Sequence, residues 1–175
     1  ENREAISDRF NALKEMPRER RLTNRNRVGF DYRQGKNVTA EDFGREFGFR
    51  GVEFGNWVNQ EERQAHINEA YDALMDLSSV IGVTPRAVSL NGELGFAFGS
   101  RGGGKYAAHY ETDKVVINLT KTKGAGTLAH EWFHALDNYL LRAVGNKTSY
   151  ATEGPGFNKE GKPALRPELN DAFRN

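Results

Sequence analysis

Cysteine is absent from this chain, which excludes disulfide bonds and thiolate metal ligands. Any metal site must therefore use histidine and carboxylate side chains. Long apolar runs are also absent, since none approaches the roughly 18 residues of a membrane-spanning helix, and no signal-peptide pattern opens the sequence. Net charge is nearly absent, because 25 basic side chains against 24 acidic ones give +1. No global field therefore favours nucleic acid or a membrane as partner.

The remaining composition is typical of one soluble globular domain. The 175 residues are enough for a hydrophobic core, and 37% hydrophobic with 28% charged residues predict a polar surface around it. The sequence starts at Glu1 rather than at a methionine and stops at Asn175 within a helical pattern, so we expect part of a larger polypeptide. Because no targeting signal is visible, the expected location is the cytoplasm.

His130, Glu131 and His134 form the pattern H-E-x-x-H inside a segment with helical periodicity. Side chains four positions apart lie on one face of a helix, so both imidazoles should point at the same place. Two imidazoles are two of the three protein ligands that a catalytic Zn²⁺ uses. Glu131 would lie beside the metal and take a proton from its water. The pattern predicts a zinc-dependent hydrolase, most simply a metallopeptidase.

The surroundings of the motif favour this interpretation. Apolar residues recur at helical spacing over Thr127–Val144, glycines precede this segment, and Gly145-Asn146 follows it. Two of the four histidines in the chain fall at this spacing around a glutamate. The alternative is a core helix with two hydrogen-bonded histidines. Asp137, one turn after His134, is either an acceptor that orients a ligand imidazole or a polar partner within the local structure.

Residues 1–27 are predicted to be an N-terminal helix and a basic arm. An apolar stripe before Pro17 indicates a short amphipathic helix. The stripe consists of Ile6, Phe10, Leu13 and Met16. The arm, Arg18–Arg27, holds five arginines and one glutamate. It is interpreted either as a contact for nucleic acid or an acidic partner, or as a solvated linker; the lack of interleaved aromatic residues favours the linker.

Residues 28–175 are predicted to form one α+β domain with a small twisted mixed sheet. Thr39 and Asp42 form a variant capping box for a helix through about Phe47, and an apolar stripe predicts a long helix over Asn59–Gly82. The predicted strands are Ala87–Leu90, Leu94–Phe98, Tyr106–Tyr110 and Val115–Leu119, with a strong turn signal at Asn91-Gly92 between the first two. The sheet is expected to pack with the long helix and the motif helix.

A long helix, a twisted sheet and an H-E-x-x-H helix, in that order, resemble the zincin metallopeptidase fold. Four segments are similar to the zincin-like domain of large polyvalent proteins, which are long proteins of phages and conjugative elements. These segments are Phe47–Gly55, Ser89–Leu94, Ile117–Thr122 and His130–Asn138. The resemblance covers Arg27 to the end, and it implies a protein-cleaving domain delivered with mobile DNA into a bacterial cell. It also implies that Lys105–Tyr110 is the cleft-edge strand that pairs with extended substrate, with Val115–Leu119 beside it.

The resemblance implies a third zinc ligand from a glutamate on a later helix, and here the chain departs from the family pattern. No strongly helical segment with a glutamate follows the motif helix. Glu153 and Glu168 are the candidates, and Glu153, nineteen residues after His134, is at a plausible separation. Because Gly154-Pro155 follows it, Glu153 should lie on a loop. The alternatives are that Glu153 is a surface residue, or that the native ligand lies beyond Asn175.

The expected reaction is hydrolysis of a peptide bond in a protein or peptide substrate. Zn²⁺ would be held by His130, His134 and Glu153, and Glu131 would act as the base. The candidates for stabilising the oxyanion are His109, Tyr110 and Tyr150. The rival hypothesis is a catalytically inactive zincin-like module that binds protein, or binds DNA through Arg18–Arg27. A third hypothesis combines the two, as a protease that acts on DNA-bound proteins.

Overall fold

The computed structural model of the protein describes residues 27–55, 60–99, 108–119, 127–143 and 145–153. The predicted N-terminal helix, the arm up to residue 26, residues 105–107 of the predicted edge strand and Glu168 lie outside these residues. The described helices are α1 (Ala40–Phe47), α2 (Gln60–Ile81) and α3 (Leu128–Arg142), with short 3₁₀ helices at Pro85–Ser89 and Ala151–Glu153. The described strands are β1 (Val52–Phe54), β2 (Gly95–Phe98), β3 (Ala108–Glu111) and β4 (Val116–Leu119).

The strands form one mixed sheet in the order β1-β2-β4-β3. β1 and β4 both run parallel to β2, whereas β3 runs antiparallel to β4 and ends the sheet. Every residue of β2 and β4 is buried, as expected for central strands covered on both faces. The predicted α+β architecture with a small mixed sheet is confirmed. β3 is an edge strand with β4 beside it, as the resemblance implied for Lys105–Tyr110, of which the structure describes 108–110, and for Val115–Leu119.

The two predicted helices before the sheet are confirmed. Thr39 Oγ1 accepts a hydrogen bond from the Asp42 N–H, the Asp42 carboxylate accepts one from the Thr39 N–H, and α1 ends at left-handed Gly48. At the end of α2, Gly82 is also left-handed, and the Val83 N–H donates to the Ser78 carbonyl oxygen at 3.0 Å. Glycine adopts this conformation without a Cβ penalty, so the local sequence defines both helix ends.

The predicted strand Ala87–Leu90 is wrong, because Pro85–Ser89 forms a 3₁₀ helix there. Pro85 occupies the first turn, where its fixed φ suits a helix and its missing N–H has no partner to lose. Leu90 and Asn91 then adopt left-handed φ values of 52° and 61°. The predicted turn at Asn91-Gly92 is present, but it connects a 3₁₀ helix to β2 rather than two strands of a hairpin.

Aromatic packing joins α1 to the sheet. The rings of Phe43 and Phe98 meet edge to face with centroids 5.6 Å apart, and Phe43 lies 6.0 Å from Phe96. On the other side of the core, the indole N–H of Trp132 donates to the Val88 carbonyl oxygen at 2.8 Å. This bond fixes the rotation of α3 about its axis, and the rotation determines which α3 side chains face outward.

Candidate metal centre

His130 and His134 converge on the outer side of α3. Their Nε2 atoms are 3.1 Å apart, and the ring planes stand at 87° to each other. Two imidazole nitrogens bound to one tetrahedral Zn²⁺ are separated by about 3.3 Å, so the pair fits a shared ion. The same distance also allows a hydrogen bond between the rings in suitable tautomers. The structure therefore places both imidazoles as the helical spacing predicted.

The orientation of the histidine pair follows from what α3 buries. Leu128, Trp132 and Ala135 are buried on the opposite side of the helix. Because these residues face the core, the side chain of His130 is exposed and that of His134 is only partly buried. A metal ligand needs this accessibility, because an ion and a substrate must both reach its nitrogen.

Glu131 is buried although it is charged, with 9% of its surface exposed. No described residue donates a hydrogen bond to its carboxylate, and charged side chains are rarely buried without a partner. On the helix it lies about 100° around from His130 and two turns before Asn138, whose side chain binds Tyr110 on β3. A carboxylate that keeps its acceptor capacity beside two imidazoles can take a proton from a water molecule.

The chain after α3 folds back onto the helix. The Asp137 carboxylate accepts hydrogen bonds from the Thr152 N–H at 3.0 Å and from the Thr152 hydroxyl at 2.5 Å. These bonds agree with the interpretation of Asp137 as a polar partner within the local structure, and no hydrogen bond joins its carboxylate to a described imidazole. These bonds attach the 3₁₀ helix Ala151–Glu153 to the outer side of α3, one turn beyond His134.

Tyr150 lies between the histidine pair and this 3₁₀ helix. Its ring centroid is 5.6 Å from that of His134. Burial, followed by the carboxylates of Glu153, Glu131 and Asp137, raises the pKa of the Tyr150 phenol. Negative charge near the phenol favours its protonated form, so Tyr150 keeps its hydroxyl proton at neutral pH.

Glu153 does not reach the histidine pair closely enough to complete a metal site. Among the described residues, no group of three histidine and carboxylate side chains has metal-binding geometry. Glu153 is exposed at the end of the 3₁₀ helix, next to Thr152. The structure therefore brings together His130 and His134 and leaves Glu153 on the same side of α3 but apart from them.

The other two candidates for stabilising an oxyanion have different partners. His109 Nε2 on β3 lies 3.4 Å from Glu111 Oε1. The Tyr110 hydroxyl donates to Asn138 Oδ1 at 2.9 Å, and burial raises its pKa to about 12. Only Tyr150, of the three, contacts a motif imidazole in the described part of the chain.

Asn138 is a site residue that the sequence analysis did not single out. Its side chain is completely buried, and its amide N–H₂ donates to the Lys147 carbonyl oxygen at 3.2 Å and the Ser149 carbonyl oxygen at 2.9 Å. Together with the bond from Tyr110, these contacts join β3, α3 and the chain leading to Tyr150. A polar residue at a buried position of the helical period was the signal in the sequence.

An apolar cavity of about 300 Å³ borders the histidine pair. Beyond the two imidazoles, it is lined by Phe133, Leu136, Asp137, Leu140 and Thr152. Phe133 is 50% exposed there, which is unusual for a large aromatic side chain. Periodicity alone did not show this cavity, because its far wall comes from Thr152, beyond the end of the helix.

The last arginine of the predicted basic arm is bound within the domain. Arg27 donates to both carboxylate oxygens of Asp76 on α2, at 2.8 and 2.6 Å, and its guanidinium lies 4.7 Å from the ring centroid of Tyr32. A guanidinium held by a bidentate carboxylate pair is no longer free to bind phosphate. Its contribution is therefore to fix the start of the described chain on α2.

Comparison with known proteins gives one family match. The model of "Large polyvalent protein-associated domain 5" matches residues 1–46, less than half of the chain. The match runs across the predicted boundary at residue 27 and ends before the motif helix, and its description names no peptidase. No curated protein and no solved structure matches the chain, so the zincin-like fold is not confirmed. No helix in the described ranges has the length and apolarity needed to cross a membrane.

Proposed function

We propose that this chain is a zinc-dependent metallopeptidase domain. The observation on which the proposal depends is the 3.1 Å separation of His130 Nε2 and His134 Nε2 on the exposed side of α3, with Glu131 adjacent. Histidines that merely fill a core have no need to converge where solvent and substrate reach them. The donor set also suits zinc, because imidazole and carboxylate are common ligands of catalytic zinc sites.

The third ligand in this proposal is Glu153. It lies in the segment that Asp137 and Thr152 attach to α3, and its charge acts on the same phenol as that of Glu131. Its exposed side chain forms no hydrogen bond with a described residue, and the proposal requires it to adopt a rotamer that turns toward the histidine pair. An ion held by His130, His134 and Glu153 would keep one position open for catalysis.

Glu131 and Tyr150 have separate roles in the proposed hydrolysis of a peptide bond. A bound Zn²⁺ would supply Lewis acidity at an attacking water and at the scissile carbonyl. Glu131 accepts the proton of the water and passes it to the leaving amine. The Tyr150 phenol, adjacent to His134, donates a hydrogen bond to the carbonyl oxygen as negative charge develops on it.

Two features of the site favour a peptide as the substrate. β3 is the last strand of the sheet in the described part of the chain, and an edge strand is the element to which an extended peptide adds by main-chain pairing. The cavity beside the histidine pair is lined by Phe133, Leu136 and Leu140, which favours an apolar substrate side chain close to the cleaved bond. The matched family description supports a place for this domain in a larger polyvalent polypeptide. The proposed origin in a phage or mobile element rests on the sequence resemblance alone.

The experiment measures zinc content and peptide cleavage on the same preparations. We expect about one zinc per chain, lost in His130→Ala and retained in the matched control His66→Ala, which changes a histidine on α2. Glu131→Gln should keep the zinc and lose cleavage of an unfolded casein substrate by about 100-fold or more. Equal zinc content in wild type and His130→Ala would refute the site. A zinc-free protein with tight, salt-sensitive DNA binding would instead support the inactive binding module.

A further inference from the structure

A second cavity, larger than the one beside the histidine pair, lies on the other side of α3. Its volume is about 640 Å³, within the range of small-molecule sites. It forms where the end of α1, the 3₁₀ helix Pro85–Ser89 and α3 meet. Tyr139 contributes the α3 wall. It follows His134 by five residues and therefore points about 140° away from it around the helix, so the two sites are separate.

The wall opposite Tyr139 is a preformed backbone turn. Leu90, Asn91 and Gly92 adopt consecutive left-handed conformations, with φ values of 52°, 61° and 77°. Such conformations are costly for the first two residues and persist only where the surroundings enforce them. Here the Leu90 side chain is buried in the core, and the Gly92 N–H donates to Ser89 Oγ at 3.1 Å. The turn therefore exposes the Asn91 side chain at the cavity without depending on a ligand.

Three of the four polar side chains that line this cavity have little internal pairing, whereas Ser89 Oγ donates to the Arg86 carbonyl oxygen. The Arg86 guanidinium makes one long contact, 3.5 Å to the Arg45 carbonyl oxygen, and no described carboxylate lies within ion-pair distance of it. By contrast, Arg27, Arg33 and Arg45 each bind a carboxylate. The Asn91 amide and the Tyr139 hydroxyl also form no hydrogen bond with any described residue.

Charge and shape together define the ligand. Arg86 gives the cavity a positive charge, and no acidic residue lines it. A planar guanidinium binds the two oxygens of a carboxylate or phosphate side by side. The Ala87 side chain and the Tyr139 ring supply apolar surface, and the volume is many times the roughly 30 Å³ that one water molecule takes up in the liquid. These properties fit an oxyanion that carries an apolar group better than they fit free phosphate.

We propose that this cavity binds a small organic oxyanion. Arg86 pairs with its carboxylate or phosphate, Asn91 and Tyr139 donate hydrogen bonds to it, and its apolar part packs between Ala87 and the Tyr139 ring. The proposal depends neither on zinc nor on peptidase activity. Removal of the histidine pair should therefore leave this site intact.

Titration of the ¹⁵N-labelled full chain, followed by amide chemical shifts, tests the proposal. The probes are benzoate and phenyl phosphate, with benzyl alcohol as the uncharged counterpart and inorganic phosphate as the anion without an apolar group. We expect saturable shifts at Gly48, Asn91 and Gly92 with at least one aromatic anion, and none with benzyl alcohol. The stronger of the two aromatic anions identifies the preferred head group, carboxylate or phosphate.

Variants distinguish binding in the cavity from non-specific attraction of anions to exposed arginines. Arg86→Gln should weaken binding by about 10-fold to 100-fold, and Arg86→Lys, which keeps the charge but loses the planar fork, by less. Arg45→Gln removes another exposed arginine outside the cavity and should change the affinity less than twofold. The proposal is overturned if Arg86→Gln binds as wild type does, if neither aromatic anion gives saturable shifts, or if inorganic phosphate binds more tightly than phenyl phosphate.

Discussion

The Asp137 carboxylate binds Thr152 through both of its oxygens, across fifteen positions of the chain. The contact attaches the segment with Tyr150 and Glu153 to the outer side of α3, next to His134. Asn138 holds the same segment through the carbonyl groups of Lys147 and Ser149, and Ala151 packs on Leu141. The geometry of the candidate metal centre therefore depends on two adjacent residues, Asp137 and Asn138, that would not themselves touch the ion.

Removing the hydrogen bond from the Thr152 hydroxyl to Asp137 should weaken zinc binding. In Thr152→Val the hydroxyl bond to Asp137 is lost, the segment is less well held, and we expect zinc affinity to fall by about 10-fold. Competition against a chromophoric chelator measures the affinity, and Thr152→Ser, which keeps a hydroxyl, is the control. An unchanged affinity in Thr152→Val would mean that Glu153 is not the third ligand.

Asn138 should be important for stability as well as for the site. Asn138→Ala leaves the Lys147 and Ser149 carbonyl groups and the Tyr110 hydroxyl without their partner, so we expect the free energy of unfolding to fall by roughly 2 to 3 kcal/mol. Tyr110→Phe removes only one of these bonds and should cost about 1 kcal/mol. Urea unfolding followed by circular dichroism measures both. Equal costs for the two variants would contradict a role for Asn138 in holding the chain after α3.

Two glycine substitutions should change stability in opposite directions. A Cβ on Gly95 in β2 would lie 3.0 Å from Val116 Cγ2, so Gly95→Ala should destabilise the protein by about 1 to 3 kcal/mol. Gly44 lies in the interior of α1 with open space around it, so Gly44→Ala should stabilise by about 0.5 to 1 kcal/mol. Chemical unfolding of both variants checks this, and destabilisation by Gly44→Ala would mean that α1 packs differently.

The Arg27–Asp76 ion pair should make the thermal stability of the protein depend on pH in the acidic range. The hydrogen bond from Arg27 lowers the pKa of Asp76 in the folded protein. Because the pKa of Asp76 is lower in the folded than in the unfolded protein, its ionised form stabilises the fold. This stabilisation is complete above the unfolded pKa of about 3.9 and is lost as the pH falls through the folded pKa. Arg27→Gln should therefore unfold at a lower temperature than wild type at pH 7, and this difference should shrink below about pH 4.

The measurement is the midpoint of thermal unfolding of both proteins from pH 2 to pH 7. Arg63→Gln is the matched control, because Arg63 binds Gln60 and the Phe54 ring rather than Asp76. Its difference from wild type should not follow the titration of Asp76. A difference between Arg27→Gln and wild type that stays constant down to pH 2 would contradict the assignment.

Features whose bonds span only a few residues could be predicted from the sequence. The Thr39–Asp42 capping box, the end of α2 at Gly82 and the convergence of His130 with His134 each depend on positions three to five apart. At that range the helix geometry alone determines which groups meet. The same local reasoning failed at Ala87–Leu90, because a short apolar run does not distinguish a strand from a 3₁₀ turn started by proline.

The sequence by itself determined the helix that carries His130, Glu131 and His134 and the face on which the two imidazoles meet. Only the tertiary structure decided the parallel pairing of β1 and β4 with β2, the attachment of Thr152 to Asp137, and the cavity around Arg86. Contacts of this kind join residues far apart in the chain, and they form only when α3, the sheet and the 3₁₀ helices bury their apolar faces together. Local periodicity contains no information on which distant partner completes such a contact.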